Sequence, residues 1–421
     1  VHGEEEVPMS EQDGKQIVIL QKPITSDPEL WKAYWKALGW PWRTEPEIDI
    51  ERQKYLTERG NIAPNVEKGI YPYNDIEPKL TRADLEWLLV THDSGHGPID
   101  WDDESRNMHK GLDLRGADLR QLDLNHLPLA RTQGGLDFEQ WIHATEKQRN
   151  MASIHMEKAI LKWAHLEGAY LRGAHLESAL FFRAHLQDAH LDESYLGNAN
   201  LNETFLGIVV LTGAKLSDES HVGPHLADIY WGSTNLATVE WQQVQMLGEE
   251  YEARKKKQSK FTKSKLIRLK EFEKAVRANR QLAVALQSQG LNEDASRFAY
   301  RAQKLQRIVL RSRKKFGQYL FSGFLDLLAG YGYRPGRSVI WYLVTIFVFA
   351  LTYFAIGHLP FFPDAFVFSL TSFHGRGFFP GLGSASTLHN PLVVIAACEA
   401  VIGLVIEISF IATFTQRFFG K

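Results

Sequence analysis

The sequence of 421 residues contains a single cysteine, Cys398. One cysteine cannot form an intramolecular disulfide, and no cysteine cluster is present to hold zinc or an iron–sulfur centre. A secreted, disulfide-stapled fold is therefore excluded. No nucleophile–base pair or phosphate-binding loop rises above background either, so we expect no enzyme, no cofactor and no metal site. No charged-then-apolar leader is visible at its start, which predicts a cytoplasmic amino-terminal half.

Charge is unevenly distributed along the chain. The formal net charge is only −2, but acidic residues dominate up to Glu250 and basic residues dominate after Tyr251. From Ser338 onward the sequence carries few charges and becomes apolar. The near-neutral sum therefore conceals an acidic part, a basic linker and an apolar part, each with its own role.

Two segments are apolar enough to cross a bilayer. Residues 338–357 contain no charged side chain and would span about 30 Å as a helix, the thickness of the hydrocarbon core. Residues 391–416 are apolar except for Glu399 and Glu407. Basic residues flank the outer ends of the two segments, whereas their connection holds only Arg376. This asymmetry predicts two spans in the cell membrane with both termini in the cytoplasm.

The connection, residues 358–390, is the most informative stretch. Pro363 and Asp364 are typical of a helix start, and the apolar run of residues 365–373 is too short to cross a membrane. A re-entrant half-helix is predicted. Gly375 and Gly377 follow it, and alternating glycines allow the left-handed backbone that an ion filter requires.

The order of span, short helix, Gly-x-Gly and span resembles the two-transmembrane pore-loop domain of the potassium-channel superfamily. Glu399 and Gly403 resemble the glutamate and hinge glycine of that family's inner helix. The resemblance implies a homotetramer that passes ions, because one subunit supplies a quarter of the filter. The filter and pore positions that it implies are Thr371, Ser372, Phe373, His374, Gly375, Arg376, Gly377 and Phe378.

The filter departs from the family pattern Thr-Val-Gly-Tyr-Gly-Asp, and three of the changes bear on ion selectivity. Phe373 stands where the family has threonine, Arg376 replaces the tyrosine, and Phe378 replaces the aspartate. The sign of the permeant ion is therefore open. We predict that Arg376 is buried and paired with Glu399; the alternative is a ring of arginines at the outer mouth that favours anions.

Glu407 lies one helical turn beyond Gly403. The superfamily resemblance implies that its carboxylate faces the inner cavity and concentrates cations. An acidic side chain inside a membrane is functional by default. The alternatives are that it pairs with a basic residue near the membrane face or is protonated.

An apolar residue recurs at every fifth position from Met156 to Leu216, with a small or apolar residue two positions before each. A period of five is neither helix nor strand. It resembles the pentapeptide-repeat family, which implies a right-handed quadrilateral β-helix over residues 111–241, interrupted by a helical insert near 131–150. Outward positions hold His155, His165, His175, His185 and His190. We expect them to be exposed polar residues; metal binding or pH sensing is the alternative.

The basic linker, residues 242–315, is predicted to form a helical hairpin around Gly290, with helices at 278–289 and 292–311. The apolar faces comprise Leu282, Leu286, Phe298, Ala302 and Leu305. The basic run before the hairpin is expected to attract anionic lipid head groups rather than nucleic acid, since no recognition module accompanies it.

The sequence thus predicts a multidomain membrane protein with a β-solenoid, a helical linker and a pore-loop domain. The predicted segments are residues 1–110 with a tryptophan-rich helix of unknown role, 111–241, 242–315, an interfacial helix at 316–337, a span at 338–357, the pore loop at 358–390, a span at 391–416 and a tail at 417–421. The predicted function is a tetrameric ion channel regulated by its solenoid. The alternative is a non-conducting membrane scaffold whose solenoid binds a protein partner.

Overall fold

The computed structural model describes residues 21–103, 105, 109–255, 257–258, 261–356, 361–375 and 391–418. The helices in these ranges are α1 (Pro28–Ala37), α2 (Ile50–Gly60), α3 (Arg82–Gly95), α4 (Phe138–His143), α5 (Glu146–Ala152), α6 (Gly248–Arg254), α7 (Lys265–Ser288), α8 (Asn292–Ser312), α9 (Phe316–Ala329), α10 (Pro335–Ile356), α11 (Phe362–Phe373) and α12 (Pro391–Phe418). Strands β1 (Lys257–Gln258) and β2 (Phe261–Thr262) form a short antiparallel pair. The chain divides into two compact units, Val1–His175 with Ala184–His190, and Leu176–Arg183 with Leu191–Lys421.

In the first unit, the five-residue period produces coils joined by isolated parallel bridges. His155 pairs with His175, and His165 pairs with His185, so the partners in each bridge are four repeats apart. Earlier in the chain Asp118 pairs with His155, which is a longer step along the sequence. The additional stretch is looped out between the coils, and α4 and α5 lie in this loop. The coils before and after the insert therefore pair in the same register as the other coils.

The inward positions of the repeat are those that the period predicts. The central Leu161, Leu166 and Leu171 and the preceding Ala164 and Ala169 are all completely buried. Four turn positions lie two residues after successive central residues and have left-handed backbone, at Lys158, Trp163, Gly168 and Gly173. Such backbone costs roughly 1–2 kcal/mol at a residue other than glycine. Burial of the apolar ladder offsets this cost at every turn.

The tryptophans near the amino terminus pack within their own region. Trp31 and Trp35 of α1 are buried, the Arg43 guanidinium lies 3.5 Å from the centre of the Trp35 ring, and the Trp35 indole donates a hydrogen bond to the Glu45 carbonyl. The helix ends at Ala37 because Gly39 adopts a φ of +87°. Trp40 and Trp42 therefore lie after the helix.

Helix α3 and the residues just before it connect the amino-terminal region to the first coils through hydrogen bonds and an ion pair. Arg82 donates hydrogen bonds to the backbone carbonyls of Asp123 (2.9 Å) and Asn125 (3.1 Å). Lys79, just before the helix, forms an ion pair with Asp118. The amino-terminal helices therefore cover part of the first coils.

In the second unit, the repeats continue with the same spacing and then shift once. Tyr195 pairs with Lys215, four repeats further on, whereas Asn200 pairs with His225, five repeats further on. The extra repeat length lies between Lys215 and His225, the segment that contains Pro224. Five additional residues in this segment account for the shift, and the bridge from Phe205 to Tyr230 continues in the new spacing.

Helices α7 and α8 form an antiparallel hairpin whose turn contains Gly290, with a φ of +78°. The apolar faces predicted for this hairpin are buried. Helix α7 begins at Lys265, well before the predicted start at 278, because the Ser264 side chain caps its amino terminus by accepting a hydrogen bond from the Ile267 N–H.

Part of the basic run before the hairpin is neutralised within the chain. Arg254 pairs with Glu250, Lys255 with Glu252, and Lys263 with Glu271. These pairs reduce the charge that the linker offers to lipid. Attraction of the linker to anionic head groups stays a prediction.

The carboxyl-terminal helices carry exposed apolar surface. Helix α9 exposes Phe316, Leu320 and Phe321 and ends at Gly330, whose φ is +54°, so the segment predicted as one interfacial helix is a helix followed by a turn. Within the described residues, the parts of α10 and α12 that are long and apolar enough to cross a membrane are Gly336–Ile356 and Pro391–Thr415. Only 17% and 22% of their most apolar windows are buried.

Candidate functional site

The short helix α11 packs between the two long apolar helices. Near its start, Ala365 contacts a buried cluster with Tyr353 of α10 and Ala396 of α12. At its end, Phe373 packs with Ile346 and Ile406. The helix begins a few residues before the predicted run, with Pro363 in its first turn, where a missing N–H costs nothing. It is too short to cross a bilayer and is held on both sides.

Glu399 joins all three helices through hydrogen bonds. Its side chain is completely buried. Oε2 accepts a hydrogen bond from the Tyr353 hydroxyl (2.7 Å), and Oε1 accepts one from the Ser369 hydroxyl (2.5 Å). The predicted partner, Arg376, lies outside the described residues, so that pairing stays a prediction. The two hydroxyl donors come from α10 and α11, and the sequence pattern did not reveal them.

Gly403 lies where α12 meets the end of α11. A Cβ atom at this position would come within 2.3 Å of the Phe373 carbonyl oxygen. Backbone cannot move aside as a flexible side chain can, so glycine is required for this close approach. The hinge role implied by the resemblance stays a prediction, while close packing is a sufficient reason for the glycine.

The described part of the predicted filter continues from the end of α11. Ser372 and Phe373 are buried, and the Thr371 hydroxyl donates to the Phe368 carbonyl (2.9 Å). The Gly375 N–H donates to the Ser372 carbonyl (2.9 Å), and Gly375 has a φ of +69°. The remaining predicted filter residues, Arg376, Gly377 and Phe378, lie outside the described residues.

Glu407 pairs with a residue of the predicted filter. Its Oε1 is in short hydrogen-bond contact with Nδ1 of His374, the residue directly after α11. Both side chains are partly exposed, Glu407 to 35% and His374 to 41%. The contact links α12 to the residue that follows α11. The partner is thus a histidine, an alternative that the sequence analysis did not include.

Asp326 on α9 forms a second junction, in which the helical hairpin meets the apolar helices α9 and α10. It accepts hydrogen bonds from the Tyr300 hydroxyl and the Arg307 guanidinium, both 2.9 Å long. Arg337 in α10 donates to the Asp326 carbonyl (2.7 Å). Burial alone would raise the pKa of Asp326, but the Tyr300 hydrogen bond and the Arg307 charge outweigh it and lower that pKa. The sequence analysis did not identify Asp326 as a site residue. It is the single acidic residue in residues 316–337, and this isolated charge could have indicated it.

The outward histidines of the first unit form stacked pairs. The rings of His155 and His175 lie 4.6 Å apart and those of His165 and His185 lie 4.8 Å apart, nearly parallel. The hydrogen bond to Glu167 raises the pKa of His165, whereas burial lowers the pKa of His185. Each pair has a glutamate two residues after its first histidine. His165 is exposed and the other outward histidines are partly exposed; that they serve only as exposed polar residues stays a prediction.

Comparison with protein-family models gives one match. Residues 159–196 match the model of pentapeptide repeats in eight copies. This segment consists of pentapeptide repeats. The match agrees with the buried five-residue ladder, and it includes the His165–His185 pair, whereas His155 lies just before the matched range. No curated protein matches the chain.

Solved structures of pentapeptide repeat proteins are similar to parts of the chain. HetL from Nostoc sp. strain PCC 7120 is 22% identical over 25% of this chain and 40% of its own, with a TM-score of 0.16. A protein of the Arabidopsis thaliana thylakoid lumen is 20% identical over 38% of this chain and 84% of its own, with a TM-score of 0.16. Rfr23 from Cyanothece 51142 is 20% identical over 31% and 83%, with a TM-score of 0.17. The chain thus spans less than half the length of HetL.

The first prediction concerns Gly403. Gly403→Ala should lower the melting temperature of the detergent-solubilised protein by several degrees, because the new methyl group would collide with the Phe373 carbonyl. The matched control is Gly323→Ala in α9, where a Cβ would meet nothing within 4 Å and alanine favours the helix by about 1 kcal/mol. Equal melting temperatures for the two variants would contradict the close packing.

The second prediction concerns the partners of Glu399. Tyr353→Phe should lower the free energy of unfolding by about 1–3 kcal/mol, because one buried carboxylate oxygen of Glu399 loses its hydrogen-bond donor. Its effect should be smaller in a Glu399→Gln background, since the two residues share one interaction. The measurement is a double-mutant cycle of thermal unfolding.

Arg376→Met, measured in the same cycle, tests the pairing predicted from sequence. If Arg376 also pairs with Glu399, its loss should couple to Glu399→Gln, and the single variant should be less stable than the double variant. Additive losses would exclude that pair. Additive losses for Tyr353→Phe and Glu399→Gln would overturn the hydroxyl network instead.

Proposed function

We propose that the chain is one subunit of a tetrameric pore-loop ion channel in the cell membrane, with both termini in the cytoplasm. In this proposal its pentapeptide repeats form a right-handed quadrilateral β-helix that regulates the pore. The observation that carries the proposal is α11: a helix too short to cross a bilayer, packed against two helices long enough to do so. The channel resemblance of the sequence places the filter directly after such a helix.

The membrane part of the proposal rests on exposed apolar surface. A core helix of a water-soluble protein would be mostly buried, whereas α10 and α12 leave most of their apolar side chains uncovered. Large patches of this kind are stable only against lipid or another protein. In the proposed channel, lipid would cover the outer apolar surface of α10 and α12, and three further subunits would cover the surface nearer the axis.

The pore lies, in this proposal, along the exposed side of the His374–Glu407 pair. Four copies would place four carboxylates and four imidazoles where the filter meets the inner cavity. A ring of carboxylates attracts cations, and a ring of Arg376 side chains would attract anions. The sign of the permeant ion therefore depends on which of the two charges faces the pathway.

The junction at Asp326 supports regulation. Movement of the hairpin would act on Tyr300 and Arg307, which are bonded to Asp326, while Arg337 at the start of α10 holds the same residue. A change in the cytoplasmic part would thus reach the first span without crossing the bilayer. This is a contiguous path of hydrogen bonds rather than a demonstrated two-state switch.

The second candidate function is a non-conducting membrane scaffold whose repeats bind a protein partner. The observation that favours it is Phe373, which stands where the channel superfamily has the threonine of the innermost ion site. Its ring is buried against Tyr342, with ring centres 4.9 Å apart. A phenylalanine held there supplies no side-chain oxygen to an ion.

The third prediction is oligomeric. Native mass spectrometry of the detergent-solubilised protein should give four chains per particle, because a single pore-loop unit cannot close a filter. Averaged electron micrographs should show fourfold symmetry with Gly375 near the axis. A monomer, or a dimer with Gly375 facing lipid, would contradict the channel.

The fourth prediction concerns Glu407. Glu407→Gln should change the amplitude and the rectification of the single-channel current, since the variant removes the four negative charges of the proposed ring, while the tetramer persists. Glu219→Gln, an exposed glutamate in the repeat segment, is the control and should leave the currents unchanged. If Glu407→Gln also leaves current and rectification unchanged, Glu407 lies outside the conduction pathway.

A further inference from the structure

The stacked histidines His165 and His185 share one glutamate. The Oε1 atom of Glu167 lies 2.9 Å from Nδ1 of His165 and 3.7 Å from Nδ1 of His185. His165 and His185 occupy equivalent positions in adjacent coils because four repeats complete one coil. The repeat therefore brings two imidazoles and a carboxylate to one point on the wall of the first unit.

Glu167 lies on the wall of a coil and is nevertheless buried. Its side chain is only 5% exposed, and its Oε2 is buried without a hydrogen-bond partner among the described residues. A buried carboxylate oxygen is costly unless a cation or donor compensates it. Both histidines lie near Oε1 and neither compensates Oε2, so a metal ion held beside Oε1 would supply positive charge that this buried carboxylate lacks.

We propose that His165, Glu167 and His185 bind a divalent first-row metal ion, with Zn²⁺ as the best match. One ligand atom from each residue lies within 4.8 Å of the other two. Tetrahedral zinc with bonds of about 2.0–2.1 Å requires ligand atoms about 3.3 Å apart. The two measured separations from Glu167, 2.9 and 3.7 Å, lie on either side of that value, so small side-chain rotations complete the site.

The donor set and its surroundings suit a hydrated divalent ion. Two imidazoles and one carboxylate are ligands that zinc accepts, and a water molecule can take the fourth position. His165 is 51% exposed, which gives solvent access. Asp100 and Asp102 act electrostatically on His165, so further negative charge lies near the site.

A second trio repeats the arrangement half a coil earlier. His155, Glu157 and His175 also bring their ligand atoms within 4.8 Å of one another, and Nδ1 of His155 lies 3.2 Å from Oε1 of Glu157. Glu157 is more exposed than Glu167, 25% against 5%. Water competes better for an exposed carboxylate, so this trio should bind more weakly.

The chain supplies a matched control. His190 stacks on Tyr170 with ring centres 5.0 Å apart and nearly parallel, which is the same one-coil relationship. A tyrosine replaces the first histidine there. His190→Asn therefore removes a stacked histidine from the repeat without touching either trio.

The experiment is zinc binding by the purified full-length chain after treatment with a chelator. Isothermal titration with ZnCl₂ at neutral pH should show a tight site and a weaker site per chain for the wild type and for His190→Asn. Glu167→Gln and His185→Asn should each weaken the tight site at least tenfold. Zinc should raise the melting temperature of the wild type, because it binds the folded state, and raise it less in these two variants.

Titration with Co²⁺ adds a test of geometry. Strong visible absorption, typical of tetrahedral coordination, should appear in the wild type at low Co²⁺ concentration, and in His185→Asn it should require the higher concentrations that fill the weaker trio. Melting temperatures measured without metal show that each variant is folded. The absence of zinc binding at tens of micromolar, or equal weakening by His190→Asn and His185→Asn, would overturn the site.

Discussion

The buried carboxylate of Glu399 is the constraint on which the three-helix arrangement depends. It lies on α12, and its two oxygens accept hydroxyl hydrogen bonds from Tyr353 on α10 and Ser369 on α11. A polar group buried among apolar helices is tolerated only when its hydrogen bonds are made. The three helices can therefore adopt few alternative registers, because sliding one of them would separate the carboxylate from its donors.

This arrangement fixes the positions of the residues nearest the proposed pore. With Glu399 held, Gly403 lies one turn further along α12 against the Phe373 carbonyl, and Glu407 lies one turn beyond it beside His374. Close backbone contact and the histidine pair thus follow from a single register. Asp326 on α9 bonds to Tyr300 and Arg307 of α8 and to Arg337 of α10, so the helical hairpin is connected to the apolar helices by hydrogen bonds.

Much of the architecture could be predicted from sequence because it depends on periodicity. The five-residue ladder from Met156 to Leu216 and the apolar faces of the hairpin emerge from the spacing of side chains alone. The short helix was predicted from its length and from Pro363. What could not be predicted was which polar groups meet: Tyr353 and Ser369 are distant from Glu399 in sequence, and Glu167 contacts His185 only because four repeats complete one coil. Helix ends were also missed where Gly39 and Gly330 reverse the backbone.

The most direct test of the central claim is electrical recording of the purified protein in planar bilayers under asymmetric KCl. If the short helix and its neighbours form a pore, discrete single-channel currents should appear, and their reversal potential should be displaced from zero toward the equilibrium potential of K⁺ or of Cl⁻. That displacement would show whether the carboxylates of Glu407 or the guanidinium of Arg376 dominate the pathway. Absence of current at every voltage and pH, from protein shown to be folded and inserted, would contradict the channel and leave the scaffold.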